Sequence, residues 1–224
     1  MKHPNIAQVF DAGITDNGRS WFAMEYVERG TPVTDYCDKK KLKLSERLKI
    51  FIKVCEAIQH AHQKGIIHRD IKPSNILVSD IEGDQLQVKV IDFGIAKATS
   101  LQLTEKTMYT SQGMLVGTPS YMSPEQADLS GSDIDTRSDV YSLGVLLYEL
   151  LSGEPPFTRE QLLKAGQAEI ERILREEEPK RPSSKLTSMK SAVEMAKARQ
   201  LNTVALSKRL EGDLDWIVMM ALEK

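Results

Sequence analysis

The sequence predicts an α+β domain that is mainly helical and carries a small amount of β-structure near its start. Three patterns carry this prediction: a hairpin pattern over residues 6–27, a long amphipathic helix over residues 45–65, and a helix over residues 139–151 that is apolar on nearly all faces. A helix with such a uniformly apolar surface is expected to be surrounded by protein. The chain therefore has enough core-forming sequence for one globular domain.

Two β-hairpins are predicted, and each is short. In the first, the extended stretches 6–14 and 20–27 lie on either side of the Asn-Gly dipeptide at 17–18. This dipeptide best tolerates the positive φ angles of a tight hairpin turn. The second hairpin pairs Ile76–Val78 with Leu86–Ile91 across a polar turn. Both hairpins are too small to form a sheet-dominated fold.

The helices follow from periodicity and from start and stop signals. The first begins at Ser45, a good N-cap residue, and stops at Gly65. After the apolar helix 139–151, a charged helix is predicted over residues 159–178, and a last helix starts near Asp213. Between these two helices lies a polar stretch, rich in Ser and Lys, for which no helix is predicted.

Composition narrows the function classes. The chain has 224 residues, 41% hydrophobic and 28% charged, with a net charge of -2, so it has no basic field that would attract nucleic acid. The longest apolar run is far shorter than the roughly 20 residues needed to span a bilayer. Only two cysteines occur, Cys37 and Cys55, which favours a reducing compartment. We expect a cytoplasmic protein with no membrane segment and no nucleic-acid partner.

Three motifs, in fixed order, carry the chemistry. Residues 68–75 read His-Arg-Asp-Ile-Lys-Pro-Ser-Asn, residues 92–94 read Asp-Phe-Gly, and residues 123–125 read Ser-Pro-Glu. Each motif alone would be weak evidence, but their order and spacing together resemble the catalytic loop, the metal-binding triplet and the end of the activation segment of protein kinases. The sequence is therefore identified as a member of that family, with a protein-kinase-like fold.

The resemblance implies a role for each polar residue of these motifs. Asp70 would orient the substrate hydroxyl and accept its proton, and Lys72 would bring its positive charge to the γ-phosphate of ATP. Asn75 and Asp92 would supply the oxygen ligands that Mg²⁺ prefers. Thr118 would bind Asp70 and Lys72. The implied cofactors are ATP and Mg²⁺.

The adenine site is implied by a second set of matches. Residues 24–27, Met-Glu-Tyr-Val, resemble the hinge between the kinase lobes. Met24 would be the gatekeeper, and the backbone at Glu25 and Val27 would bind adenine. Leu77 would form the apolar floor under the ring. In the family, the residue matching Asp139 accepts hydrogen bonds from the backbone of the catalytic loop; without the resemblance it would be an acidic residue in a first helical turn.

Substrate class and regulation also follow from the resemblance. Lys72 and the segment 117–121, Gly-Thr-Pro-Ser-Tyr, are similar to Ser/Thr kinases, and the flanking residues look most like bacterial members. Arg69 resembles the arginine that binds a phosphorylated activation loop. The candidate phosphate acceptors in this chain are Thr107, Thr110 and Ser111.

The chain departs from the family pattern at its start. It contains no Gly-x-Gly-x-x-Gly loop, and no match is found for the third-strand lysine that the family pairs with a glutamate on a helix. We expect residues 1–28 to be the remnant of the N-lobe (its last two strands and the hinge) and residues 29–224 to be the C-lobe, incomplete at its C-terminus. Val9 and Phe93 should then be uncovered, and Glu125 should lack its usual arginine.

Two classes of function therefore stay open at this point. The first is an active kinase that transfers the ATP γ-phosphate to Ser or Thr hydroxyls of protein substrates. The second is a catalytically inactive kinase fragment that acts as a binding or scaffolding module. The presence of Asp70, Lys72, Asn75 and Asp92 favours the first, since an inactive module has no chemical need of all four.

Overall fold

The structure is a computed structural model that describes residues 1–81, 85–93, 119–128, 134–163, 166–188 and 191–224. Its strands and helices in chain order are β1 (Val9–Ile14), β2 (Ser20–Met24), β3 (Thr31–Pro32), α1 (Val33–Lys39), α2 (Leu44–His62), β4 (Ile76–Ile81), β5 (Gln85–Val90), α3 (Pro124–Ala127), α4 (Thr136–Ser152), α5 (Arg159–Leu163), α6 (Gln167–Glu176), α7 (Pro182–Ser188), α8 (Ala192–Ala198), α9 (Thr203–Leu210) and α10 (Asp213–Ala221). Helix predominates, as the sequence predicts.

Both predicted hairpins are present in the structure. Strands β1 and β2 form a two-stranded antiparallel sheet, and β4 and β5 pair in a second antiparallel sheet with β3 at its edge. The first strand begins later than predicted, because Ile6 forms a parallel bridge to Val90 of β5 instead of pairing with β2. The backbone nitrogen of Ala7 also donates to Val90 O at 2.9 Å. The start of the chain is thereby attached to β5.

Helix α2 confirms the long amphipathic helix but corrects its N-cap. The helix begins at Leu44, so Ser45 lies inside its first turn and Lys43 is the N-cap residue. The Glu46 carboxylate accepts a hydrogen bond from the Lys43 backbone nitrogen at 2.7 Å, which is the reaching-back half of a capping box. The predicted stop is correct: the helix ends at His62, and Gly65 has a φ of +69°.

Helix α4 is buried on nearly all sides, as its apolar sequence predicts. It begins at Thr136, capped by the Asp135 side chain, and ends at Ser152, with Gly153 as a C-cap that has a left-handed φ of +99°. A Cβ atom on Gly144 would lie 2.8 Å from the Cβ of Ala221, so the close packing of α4 against α10 requires a glycine there. Hydrophobic clusters lie on both sides of α4, one toward α2 and β5 and the other toward α7, α9 and α10.

Two predictions about the second half of the chain are wrong. The single charged helix expected over residues 159–178 is two helices, α5 and α6. The polar stretch that follows contains α7, α8 and α9, each of only seven or eight residues. One or two apolar residues per turn are enough to bury such short helices, and Leu186, Leu206 and Leu210 do so against α4. Helix α1 was missed for the same reason: periodicity needs a longer window to be visible.

Candidate active site

The catalytic-loop motif follows α2 and is held by one buried carboxylate. Asp139 Oδ2 accepts a hydrogen bond from the His68 backbone nitrogen, and Oδ1 accepts one from the Arg69 nitrogen, both at 2.8 Å. His62 Nε2 lies 2.7 Å from the same carboxylate, which is fully buried. The expectation that Asp139 binds the backbone of this loop is confirmed. Arg69 has a φ of +68°, and such strained conformations persist only where surrounding contacts impose them.

Asp70, Lys72 and Asn75 come together as the resemblance implies. Lys72 Nζ lies 2.7 Å from Asp70 Oδ2. Asn75 Nδ2 donates to Asp70 Oδ2 at 2.9 Å and to the Asp70 backbone carbonyl at 2.8 Å. The Asp70 side chain is 58% exposed, so its carboxylate is oriented by two donors while staying open to a substrate.

His68 links this loop to the segment before Asp92. Its Nε2 lies 3.0 Å from the Ile91 carbonyl, and its Nδ1 accepts from the Asp70 backbone nitrogen at 3.3 Å. Burial lowers the pKa of His68, so the neutral ring can accept at one nitrogen and donate at the other. The ring centroids of His68 and Phe93 lie 4.6 Å apart in a tilted arrangement, and Phe93, which was expected to be uncovered, is half-buried.

The residues proposed for the metal fit a hard cation. The amide nitrogen of Asn75 donates to Asp70, so the side-chain oxygen is the atom that would bind a metal ion. Ile91 N donates to the Asn75 carbonyl at 2.9 Å, so Asp92 follows directly after a contact with Asn75. Asp92 itself has a φ of +63°, a conformation rare outside glycine. A carboxylate and an amide oxygen form the donor set that Mg²⁺ prefers.

Glu25, in the segment predicted to be the hinge, forms an ion pair with Lys89, a residue that the sequence analysis did not select. Lys89, buried in β5, lies with Nζ 2.7 Å from the Glu25 carboxylate, which also accepts from the Gln8 backbone nitrogen at 3.1 Å. Burial disfavours the charged form of Glu25, but the bonds from Lys89 and Gln8 outweigh it and lower its pKa. Met24, half-buried, ends β2 beside this carboxylate.

Val27 and Leu77 lie close to each other, as an adenine site would require. A Cβ atom on Gly30 would be 3.1 Å from Leu77 Cδ1 and 3.1 Å from Val27 Cγ1, so the two apolar side chains flank Gly30. Leu77 is opposite Lys89 in the pairing of β4 with β5. Val27 and Leu77, which were predicted to form the adenine site, thus lie in one region with the buried Lys89.

The segment after the activation loop is attached to both α4 and the catalytic loop. Ser142 Oγ donates to the Tyr121 carbonyl at 2.8 Å, and the Ser138 hydroxyl donates to the Glu125 carboxylate. Glu125, which was expected to lack its usual arginine, thus has a hydroxyl partner on α4. Gln126 Nε2 donates to the Arg69 carbonyl at 2.6 Å.

Some predicted residues lie outside the described part of the chain. Those residues are Thr118, which was assigned to the catalytic set, and the candidate phosphate acceptors Thr107, Thr110 and Ser111.

Sequence reasoning missed three contacts of the site, those made by His62, Lys89 and Gln126. A lysine between Val88 and Val90 in an apolar strand was a signal, because a cation placed there needs a partner. Gln126 stands three residues after Ser123, the spacing of a capping box, but that pattern does not predict a contact beyond its own helix. His62 has no signal apart from its place on α2.

The fold and this geometry define a protein kinase domain. Residues 1–210 match the family model described as "Protein kinase domain", so the chain belongs to that family. It is 34% identical over its whole length to "Serine/threonine-protein kinase PknB" of Mycobacterium tuberculosis, covering 31% of that protein. It is 41% identical over 160 residues to the protein of the same name from Mycobacterium leprae, a match that covers 70% of this chain and 24% of the relative. "Serine/threonine-protein kinase Pkn1" of Myxococcus xanthus is 37% identical over 89% of this chain and 27% of the relative.

The chain thus spans less than a third of the length of these curated relatives. Within the residues that the structure describes, no helix is both long and apolar enough to cross a membrane.

Proposed function

We propose that this chain is the catalytic part of a Ser/Thr protein kinase, which transfers the ATP γ-phosphate to Ser or Thr hydroxyls of protein substrates in the cytoplasm. The observation that carries the proposal is the convergence of Lys72 and Asn75 on the exposed carboxylate of Asp70. That carboxylate belongs to a strained loop anchored by the buried Asp139.

In this proposal, Asp70 and Lys72 have separate tasks. Phosphoryl transfer passes through a loose transition state, so positioning and charge neutralisation account for most of the catalysis. Asp70 accepts the hydrogen bond of the substrate hydroxyl and directs its oxygen toward the γ-phosphorus. As the new O–P bond forms, Asp70 takes the hydroxyl proton, the bond between the γ-phosphorus and the β–γ bridging oxygen breaks, and ADP leaves with that electron pair. Lys72 stands beside this carboxylate and neutralises charge on the phosphoryl oxygens.

ATP and Mg²⁺ would be held by residues on either side of this centre. Asn75 and Asp92 would bind the cation, which neutralises phosphate charge when it is bound. For adenine, the backbone of Glu25 and Val27 would supply the hydrogen bonds, with Met24 as gatekeeper and Leu77 beneath the ring.

Regulation by phosphorylation belongs to the same proposal. Arg69 Nε is buried and makes no hydrogen bond to any described residue. A buried guanidinium nitrogen without an acceptor is costly, and a phosphate on Thr107, Thr110 or Ser111 would supply one.

The choice of Ser and Thr as acceptors rests on Lys72, on Thr118 as a partner of Asp70, and on the relatives named serine/threonine-protein kinases. We further propose that residues 1–28 belong to the N-lobe and residues 29–224 to the C-lobe. In that division the adenine site lies where the two parts meet.

The test is phosphoryl transfer by the chain extended upstream of Met1 with a glycine-rich loop, a Val-Ala-x-Lys strand and a helix bearing the paired glutamate, which we call the extended form. The assay contains labelled ATP and a generic basic protein as substrates, together with Mg²⁺. Asp70→Asn should lower kcat by roughly three orders of magnitude with KM for ATP little changed, because a positioned base is lost while nucleotide contacts remain. Asp92→Ala should abolish Mg²⁺-dependent ATP binding in calorimetry without unfolding the domain.

Asp35→Asn, on the exposed part of α1, is the control and should keep wild-type turnover. Turnover of Asp70→Asn at the wild-type rate would remove Asp70 from the catalytic role. Nucleotide binding without any phosphoryl transfer in the wild-type extended form would favour the binding-module alternative. The 224-residue chain without the extension is expected to transfer no phosphate at a measurable rate.

A further inference from the structure

We infer that Gln126 is a positioning residue for the proposed phosphoryl transfer, because its side-chain amide fixes the peptide bond that carries Asp70. Gln126 belongs to α3, on the far side of the activation segment in sequence. The inference rests on the proposed function and adds to it a contact through which the segment after the activation loop acts on the catalytic carboxylate.

The peptide bond between Arg69 and Asp70 is held at both of its polar edges. Its carbonyl oxygen, which belongs to Arg69, accepts from Gln126 Nε2 at 2.6 Å. Its N–H group, which belongs to Asp70, donates to His68 Nδ1 at 3.3 Å. Two contacts on opposite edges fix the rotation of the peptide plane, and the plane sets the direction in which the Asp70 side chain leaves the backbone. The Gln126 bond is the shorter of the two.

The preceding peptide bond, between His68 and Arg69, gives a second reason why the contact of Gln126 with the Arg69 carbonyl is needed. Arg69 N–H is held by Asp139 while Arg69 itself has a φ of +68°. A non-glycine residue in this region is strained and tends to relax unless its surroundings oppose the relaxation. Asp139 acts on the N-terminal side of Arg69, and Gln126 acts on its C-terminal side. Without Gln126, one side of the strained residue would lose its restraint.

The orientation of the Gln126 amide is determined by a second residue. Ser123 donates to Gln126 Oε1 from its backbone nitrogen at 3.1 Å and from its hydroxyl at 3.2 Å. An amide oxygen accepts and an amide nitrogen donates, so these contacts leave only Nε2 to face the Arg69 carbonyl. The capping box of α3 thus aims a donor at the catalytic loop.

The chain contains a matched control for this arrangement. At the start of α5, Thr158 donates to Gln161 Oε1 from its backbone nitrogen at 2.9 Å and from its hydroxyl at 3.1 Å, the same capping pattern. Gln161 is exposed and distant in sequence from the catalytic loop. Substitution by Glu keeps the capping oxygen in both helices, since Glu is a normal capping-box residue. Only at position 126 does the Glu substitution replace an N–H donor to the Arg69 carbonyl by a carboxylate oxygen, which cannot donate.

The experiment compares Gln126→Glu with Gln161→Glu in the extended form. Gln126→Glu should lower kcat roughly 10-fold or more while KM for ATP stays within about twofold, because a misplacement of about 1 Å at the reacting group can cost 100-fold. Hydrogen exchange of the peptide spanning residues 67–72, measured by mass spectrometry, should become faster in this variant. Gln161→Glu should leave both readouts unchanged.

The two readouts separate failure of this inference from failure of the proposed function. If the wild type shows no Asp70-dependent transfer, the proposed function is overturned, and with it the catalytic consequence, while hydrogen exchange still decides whether Gln126 restrains the loop. If Gln126→Glu leaves exchange and kcat at wild-type values, the inference is wrong. Equal losses of kcat in Gln126→Glu and Gln161→Glu would also overturn it, because they would trace to helix capping and not to the contact with Arg69.

Discussion

Asp139 Oδ1 lies 2.8 Å from the backbone nitrogen of Arg69, although the two residues are 70 positions apart in the chain. The carboxylate is fully buried, and its other oxygen binds the preceding amide. A helix at the centre of the domain therefore fixes the loop that carries the reactive carboxylate. The stability of the domain and the geometry of the catalytic loop therefore both depend on the Asp139 side chain.

Asp139→Asn is expected to destabilise the domain by about 3 kcal/mol, because an amide NH₂ would face a backbone donor and leave buried groups unpaired. Urea unfolding measures the loss. Asp135→Asn is the control: it changes the N-cap of the same helix, where Asn serves as well as Asp, so the free energy of unfolding should change by less than about 0.5 kcal/mol. A similar loss in both variants would contradict the special role of Asp139.

Lys89→Met should weaken the anchoring of the hinge by removing the buried partner of Glu25. The pKa of Glu25 is lowered in the folded chain, so the pair contributes stability above the unfolded pKa of the carboxyl group, and this contribution is lost as the pH falls through the folded pKa. The difference in unfolding free energy between wild type and Lys89→Met, about 1 to 2 kcal/mol at pH 7, should therefore shrink below pH 4. Lys40→Met, which removes an exposed ion pair with Asp80, is the control.

Glu149 provides the opposite pH dependence. Burial, together with the charges of Asp38 and Asp35, raises its pKa from 4.5 to about 7, although the Tyr121 hydroxyl and Arg199 act against the rise. A carboxyl group whose folded pKa is raised costs stability as the pH increases from the unfolded to the folded pKa.

Relative to Glu149→Gln, the wild type should lose about 2 to 3 kcal/mol of unfolding free energy between pH 4.5 and pH 7, and no more above that range. Chemical unfolding at several pH values measures this difference. Glu211→Gln, at an exposed position, is the control and should show no such trend. If the difference in unfolding free energy between wild type and Glu149→Gln is constant across this pH range, the raised pKa of Glu149 is refuted.

The contacts of the candidate site could be predicted from the sequence only where the residues that make them are close together in the chain. Asp70, Lys72 and Asn75 stand within six residues of each other, so their convergence follows from a motif. The bond from Gln126 to Arg69 joins residues 57 positions apart and depends on how α3 packs, which no spacing encodes. The role of Asp139 was foreseen only through the family resemblance.

The same distinction explains the fold. Helix α4 was predicted because its apolar pattern extends over enough residues to be recognised in the sequence. The short helices α7, α8 and α9 are stabilised by tertiary burial of a few apolar residues, which are leucines in α7 and α9 and Ala196 in α8. The N-cap of α2 was misplaced by two residues, at Ser45 instead of Lys43, because Glu46 caps the helix by reaching back to the Lys43 backbone, whereas serine is the more familiar signal.

The β1–β2 hairpin carries the last prediction, that the 224-residue chain self-associates. Val9, expected to be uncovered, is 48% exposed, and Phe10 and Ile14 are 63% and 73% exposed on a two-stranded sheet, which is marginally stable by itself. Replacing Phe10 and Ile14 together by Thr keeps β-propensity while removing apolar surface, so sedimentation velocity should show monomer persisting to several-fold higher concentration. Ile52→Thr, at a 54% exposed site on α2, is the control. If this single change on the helix improves solubility as much as the hairpin variant, or the wild-type chain is already monomeric at high concentration, the hairpin is not the cause of association.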